Sequence, residues 1–300
     1  MKSSLFFILR TTAVFFAFLC SITNIFSQQV AGKIKLDQGQ LLDITMQVST
    51  SVVQQAGGQS IDFNVNATGN HSYKVTNATE DNSTLHHQLQ RIRFSFEGMG
   101  PKRTFDSNEE KDMKGAFGKP MKEMLEKAYD VIIDTNGKIL MVFPEKIQFA
   151  EMDNQMAIIT SLLKDVMDLV QPPQKDKSSF FKVLPDSSTG KGSSWTESYS
   201  TEQGKYNTVF TLSDITDSTI IIDFAGSSAT ITKAVMMGSE TTTTMNNKST
   251  GKIILDRATG IVREKKINTE SNGNTESSFG DLPVTSKTTT IITVKPVKNE

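Results

Sequence analysis

Leu42-Asp43-Ile44-Thr45-Met46-Gln47-Val48 alternates apolar and polar side chains without a miss. A period of two puts every second side chain on one face, so the stretch reads as a β-strand with one buried and one wet side. The alternation returns at Ile61, Phe63 and Val65, and again at Ile92, Phe94 and Phe96. Gln54 to Gln59, containing Gly57-Gly58, reads as the turn between the first two runs. Over Gly98 to Gly118 the pattern gives way to charges and glycines, which predicts a long surface loop.

Pro120 to Lys127 predicts a short helix, with the proline near its first turn and Met121, Met124 and Leu125 on one face. Tyr129 to Thr135 and Lys138 to Phe143 flank Asn136-Gly137. That pair between apolar runs predicts a hairpin, because both turn residues must tolerate positive φ. Phe149, Met152, Met156, Ile159, Leu163, Val166 and Val170 then recur at spacings of three and four until Pro172-Pro173 stops the run. This predicts one long amphipathic helix over about 146–170. Strand patterns resume at Trp195 to Ser200, Tyr206 to Leu212, Thr219 to Phe224, Ala229 to Met236, Lys252 to Leu255, Ile261 to Asn268 and Thr288 to Val294, with turn signals at Gln203-Gly204, Gly226 and Asn272-Gly273.

The expected fold is therefore α+β and predominantly antiparallel β. A curved sheet or half-barrel would form from two β-rich halves, residues 28–145 and 180–300, joined by the 146–173 segment whose helix packs on it. Residues 28–300 would make a single domain. Ile133-Asp134-Thr135-Asn136-Gly137 and Leu255-Asp256-Arg257-Ala258-Thr259-Gly260 form a faint repeat: an Asp after an apolar strand, then a Gly at the turn. Asp and Gly are favoured in any hairpin turn, so duplication of the halves stays open.

Lys2 and Arg10, the apolar stretch Thr11 to Ile22 and the small Ser27 compose a signal peptide over residues 1–27, with cleavage near Ser27/Gln28. The expected location is outside the cytoplasm, periplasmic or extracellular. Cys20 follows Leu19 where lipidation wants a small residue, which argues against a lipoprotein anchor. Cys20 is the only cysteine, so the mature chain has no disulfide and must rely on its core. No later apolar stretch approaches the roughly 20 residues of a membrane-spanning helix. Lys and Arg number 32 against 33 Asp and Glu; losing Lys2 and Arg10 leaves 30 against 33, a net charge of −3. That small, mixed charge gives no footprint for nucleic acid.

The chemistry-bearing residues are sparse. The histidines are His71, His86 and His87, and no Gly-x-Ser-x-Gly elbow or His-Glu-x-x-His motif occurs. His86 and His87 are neighbours on a strand and point to opposite faces, so they read as a surface pair rather than a metal site. Gly190-Lys191-Gly192-Ser193 lacks the Ser or Thr after the lysine that a phosphate loop needs. No catalytic residue, metal or cofactor is assigned, and the chain reads as a non-enzyme.

The order of these features resembles the DUF6263-like group of uncharacterised exported proteins from the Bacteroidota. The resemblance rests on Tyr129-Asp130-Val131-Ile132-Ile133-Asp134 with Asn136-Gly137, the following helix, Leu184-Pro185 before Gly192-Ser193-Ser194-Trp195, and Gly251-Lys252-Ile253-Ile254-Leu255-Asp256. It implies no catalytic residues. The β-helix-β order is also similar in outline to the half-barrels of periplasmic lipoprotein carriers, an analogy of fold only.

The leading expectation is a non-enzymatic envelope protein holding a lipid or other hydrophobic ligand in a groove between sheet and helix. Candidate groove residues are Met152, Met156, Ile159 and Leu163, with Phe143 and Trp195 near the ends. A closed core with an exposed apolar patch would instead mark a structural or interaction module that binds another envelope protein. A hydrolase, ranked behind both, needs a cleft where two carboxylates, or a histidine and a hydroxyl, converge.

Overall fold

The period-two runs are strands, and they are far longer than the usual five or six residues. The computed structural model describes residues 29–56, 58–98, 100–149, 163–236, 239–277 and 280–297. β1 (Gln29–Val30) is followed by β2 (Leu41–Ala56), β3 (Gln59–Ala78), β4 (Asn82–Gly98) and β5 (Gly100–Asp106). Two short helices, α1 (Glu110–Met113) and α2 (Gly118–Glu126), lead to the hairpin β6 (Ala128–Asp134) and β7 (Ile139–Phe143). After α3 (Lys164–Met167) come β8 (Thr189–Gly190), β9 (Ser194–Thr201), β10 (Gly204–Ile215), β11 (Thr219–Met236), β12 (Ser239–Asp256), β13 (Val262–Ser277) and β14 (Gly280–Val297).

Twelve of these strands make one antiparallel sheet in the order β7-β6-β4-β3-β2-β14-β13-β12-β11-β10-β9, with β5 beside β4. β1 and β8 form a separate two-stranded ribbon. β14 pairs with β2 from Val297↔Leu41 to Val284↔Gln54, so the early and late strands meet in mid-sheet. Among the described residues the path ends at β7 and β9 without closing into a barrel.

The core occupies one end of the inner face. Leu42, Ile44 and Met46 of β2, Val75 of β3, Leu85 and Ile92 of β4, Ile222 of β11, Ile253 and Leu255 of β12, and Ile292 and Val294 of β14 are all buried there. Each fully buried aliphatic chain contributes about 1.5–3 kcal/mol. Further along, the same face turns to hydroxyls. Thr50 pairs with Thr288 at 3.0 Å, Ser249 with Thr269 at 2.9 Å and Thr243 with Thr275 at 2.9 Å. β-branched threonines hold the pleat while offering little to bury, so strands extend beyond the core.

The structure corrects the expected α+β fold. Among the described residues there is no long amphipathic helix: Lys146 to Phe149 are not helical, and α3 has four residues. Strands of both β-rich halves belong to one continuous open sheet. Gly98 to Gly118 is not a plain loop, since β5 pairs with β4 and α1 follows. Phe105 is the one buried side chain of β5, so it shows no alternation to detect. Gly226 and Asn272-Gly273 lie inside β11 and β13 rather than at turns. At Gly273 a Cβ would come within 1.9 Å of the Thr244 carbonyl oxygen, so this glycine serves a close cross-strand approach.

A strap precedes β2. Gly32 N–H donates to Pro185 O at 3.1 Å, Ile34 N–H to Thr135 O at 2.7 Å, and Lys35 N–H to Thr259 O at 2.8 Å. The strap thus ties the β6–β7 turn to the β12–β13 turn, the two Asp-Gly turns that resemble each other in sequence.

Candidate functional site

Those two turns stand at the feet of two walls that face each other across a cleft of about 570 Å³. Tyr73 of β3 and Tyr129, Val131 and Ile133 of β6 line one wall. Tyr199 of β9, Phe210 of β10, Ile253 of β12, and Val262 and Lys265 of β13 line the other. The chain crossing between the walls supplies Asp168, Leu169, Pro172, Pro173, Phe180 and Phe181. Cavities of this size with mostly apolar walls and a few polar groups are the usual form of a small-molecule site.

Side chains of the sheet anchor that crossing segment. His71 and His87 are each about 1% exposed. His71 Nε2–H donates to Val166 O at 2.9 Å, which leaves Nδ1 of the neutral ring to accept from His87 Nε2–H at 3.1 Å. His87 Nδ1 then has no partner among the described residues. His87 stacks on Tyr129 with centroids 4.6 Å apart, and Tyr129 O–H donates to Leu169 O at 3.0 Å. Burial pulls the His71 pKa down to about 4 and His87 lower still. The opposite-face argument for His86 and His87 holds, but the surface-pair reading fails for His87. His86 alone reaches the surface, where Nδ1 meets Asp130 Oδ1 at 2.7 Å.

The charged groups lining the cleft are Asp168, Glu197, Lys265 and Lys182, the last paired with Asp186 at 2.7 Å; Gln171, Gln174, Ser178 and Ser179 add neutral polar groups. Asp168 and Glu197 reach water at the opening, while Lys265 lies deeper. The enclosing walls strip part of their solvation and push Asp168 and Glu197 above the ordinary carboxylate range; Lys265, Lys164 and Lys182 oppose that shift. Burial draws Lys265 down, and the charges of Asp168 and Glu197 draw it back. Two stacked aromatic pairs continue the wall: Tyr199 with Tyr206 at 4.7 Å and Trp195 with Phe210 at 5.4 Å. The arrangement can hold an apolar body between the walls and read charge at the opening. Among the described residues no group of three or more metal-ligating side chains occurs.

The residues expected from the sequence fall elsewhere or outside the description. Met152, Met156 and Ile159 lie outside the described residues. Leu163 is buried in the core where α3 begins. Phe143 is 56% exposed at the end of edge strand β7, beside Leu140 and Met141. Trp195 stands behind Phe210. Lys265, Glu197 and Asp168 were missed, although the sequence carried a signal for two of them. Glu197 shares the phase of Trp195 and Tyr199, and Lys265 shares the phase of Ile267.

A model of the DUF6263 family, described as a family of unknown function, matches residues 80–262. No curated protein matches the chain. A lipovitellin structure, titled for its lipid–protein interactions, is similar over 89% of this chain at 9% identity and a TM-score of 0.41. The chain spans about a quarter (26%) of the lipovitellin chain. An outer membrane channel from Pseudomonas putida F1 aligns over 88% of this chain and 98% of its own at 7% identity, TM-score 0.26. Pseudomonas aeruginosa OccK7 aligns over 87% of this chain and 100% of its own at 8% identity, TM-score 0.24. Likenesses this slight carry no functional meaning for the chain. Among the described residues no helix is long and apolar enough to cross a membrane.

Proposed function

Because the chain belongs to the DUF6263 family, a family of unknown function, we propose a role from the cleft itself: an exported, non-enzymatic binding protein that holds one amphipathic small molecule, a lipid above all, between the facing walls of its sheet. The observation that carries this reading is a cleft of about 570 Å³ whose two walls set aromatic and aliphatic side chains beside a few charged ones. Export is supported by Lys2, Arg10 and the apolar stretch that ends at Ile22. The earlier groove between sheet and long helix is replaced by a groove between two stretches of one sheet, roofed by residues 168–183.

An acid–base pair is a poorer account of Asp168 and Glu197. Burial raises both, and Lys265 opposes the shift of each, so the two carboxylates stand about a common cation. Charge recognition suits them better.

The test is native mass spectrometry of the mature protein purified from its own cell envelope, followed by organic extraction and identification of what is released. A stoichiometric amphiphile is the expected result. A bare protein that also takes up nothing from mixed-lipid vesicles would overturn the reading. It would favour a docking module that uses Leu140, Met141 and Phe143 on the open edge of β7.

A further inference from the structure

Lys265 is out of place in its own row. The residues in register across the inner face are Leu212, Ile222, Ile253, Lys265, Ile292 and Met46, so one ammonium interrupts a line of apolar side chains. An ammonium in such a row ordinarily carries a close carboxylate, because a cation is costly to strip of water unless it is paired. Among the described residues Lys265 has no ion pair within 4.0 Å; the face of Phe224 lies 5.7 Å from its Nζ. Asp168 and Glu197 act on it from farther off and line the same cleft. Lys265 therefore keeps its donors for something that enters.

We infer that the cleft selects a zwitterionic head group, an anionic oxyacid set against Lys265 and an ammonium set between Asp168, Glu197 and the ring of Tyr199. This inference rests on the cleft being the binding site. Charge balance narrows the class. Among the described residues Asp168, Glu197 and Lys265 are the lining charges without an ion pair within 4.0 Å, one positive and two negative, so a wholly anionic ligand meets a net negative set and a wholly cationic one leaves Lys265 unmatched. The other charges around the opening are already partnered or offset: Lys182 pairs with Asp186 at 2.7 Å, and Lys164 stands beside Asp165 and Asp168 on α3 and its end. The aromatic face of Tyr199, half exposed and stacked on Tyr206, adds the surface on which an alkylammonium binds. A phosphoethanolamine head on an acyl-chain body has this shape and charge order. The chains would lie along Phe210, Val131 and Ile133.

The mature full-length protein is incubated with vesicles containing equal amounts of phosphatidylethanolamine, phosphatidylglycerol and diacylglycerol with identical acyl chains, re-isolated and extracted, and the bound species are counted by mass spectrometry. Phosphatidylethanolamine should be enriched at least about tenfold over either competitor, a difference of about 1.4 kcal/mol. Lys265→Met should abolish that enrichment and Lys265→Arg should keep it, which separates lost charge from lost folding. Asp168→Asn with Glu197→Gln should move the preference to phosphatidylglycerol. Free phosphoethanolamine at high excess should displace bound lipid, placing the selectivity in the head group; failure to compete, or equal uptake of all three lipids, overturns the head-group inference and leaves the cleft reading standing. Uptake of none overturns both.

Discussion

Nδ1 of His71 lies 3.1 Å from Nε2 of His87, a hydrogen bond that survives only while at least one of the two rings is neutral. The ordinary histidine pKa is 6.5; burial takes His71 down to about 4, and burial with the neighbouring His71 and His86 charges takes His87 lower. Below pH 6.5 the unfolded chain therefore binds protons that the folded chain refuses. This contribution to stability is complete above pH 6.5 and is lost as the pH falls toward about 4, by about 1.4 kcal/mol per pH unit for each histidine. Asp165 and Asp168 act with the opposite sign, since their pKa values are raised on folding and acidification relieves them. Comparing wild type with His71→Gln isolates the histidine part. Denaturant midpoints at about pH 7.5 and about pH 5 should show the wild type losing more on acidification than the variant. Equal losses would refute the coupling.

The two buried tyrosines should not be equivalent. Tyr73 O–H donates to the Tyr129 oxygen at 2.8 Å, and Tyr129 O–H donates onward to Leu169 O. Tyr73→Phe removes one neutral hydrogen bond and leaves the onward bond in place, at a cost of about 0.5–1.5 kcal/mol. Tyr129→Phe strands both the Leu169 carbonyl and the Tyr73 hydroxyl, at about 1–3 kcal/mol. Chemical denaturation of the two variants measures the order, and an equal or reversed cost would show that the chain does not run toward Leu169.

Trp195 is the sole tryptophan of the chain, so intrinsic fluorescence reports one place. Its ring stacks on Phe210 with an interplanar angle of 14°, and Phe210 faces the cleft. A ligand seated against Phe210 changes the surroundings of the indole. Tryptophan emission should therefore shift during a lipid titration, with the same midpoint as uptake measured by extraction. Saturating uptake with unchanged emission would place the ligand elsewhere.

Much of the sheet is legible in the sequence because its inner face at the core end is apolar. Leu42, Ile44, Met46 and Val48 announce β2, and Asn136-Gly137 announces the β6–β7 turn, where Gly137 has φ of 79°. Legibility stops where the face turns to hydroxyls. In Thr241-Thr242-Thr243-Thr244 both phases look alike, so alternation cannot mark a strand, and tertiary pairing with β11 and β13 decides. The helical spacing around Leu163 misled for a related reason: buried residues of a crossing segment can recur at threes and fours when short turns place them on a sheet. Val166 and Val170 are buried in that manner, one in a four-residue helix and one in a turn. Of the cleft, Tyr129, Val131 and Ile133 were visible as a strand, but that β6 faces β13 is a consequence of sheet curvature, which no local pattern carries.

The strap should depend on the two glycines that receive it. Gly137 and Gly260 have φ of 79° and 72°, and both stand against the strap: a Cβ would lie 2.5 Å from Ile34 Cδ1 at Gly137 and 2.2 Å from Lys33 O at Gly260. Gly58 has the same φ as Gly137 with open space around it, so Gly58→Ala measures the left-handed backbone cost alone, about 1–2 kcal/mol. Gly137→Ala adds displacement of a flexible isoleucine tip and should cost somewhat more. Gly260→Ala drives a methyl into a backbone carbonyl that cannot swing aside, and should be the most damaging of the three, exceeding Gly58→Ala by at least about 1 kcal/mol. Because the strap joins the feet of both cleft walls, Gly260→Ala should also weaken lipid uptake, whereas Gly58→Ala should leave it intact. Unfolding free energies and vesicle uptake for the three variants decide the matter. Equal costs at Gly58 and Gly260 would mean that residues 32–35 lie on the two turns without bracing them.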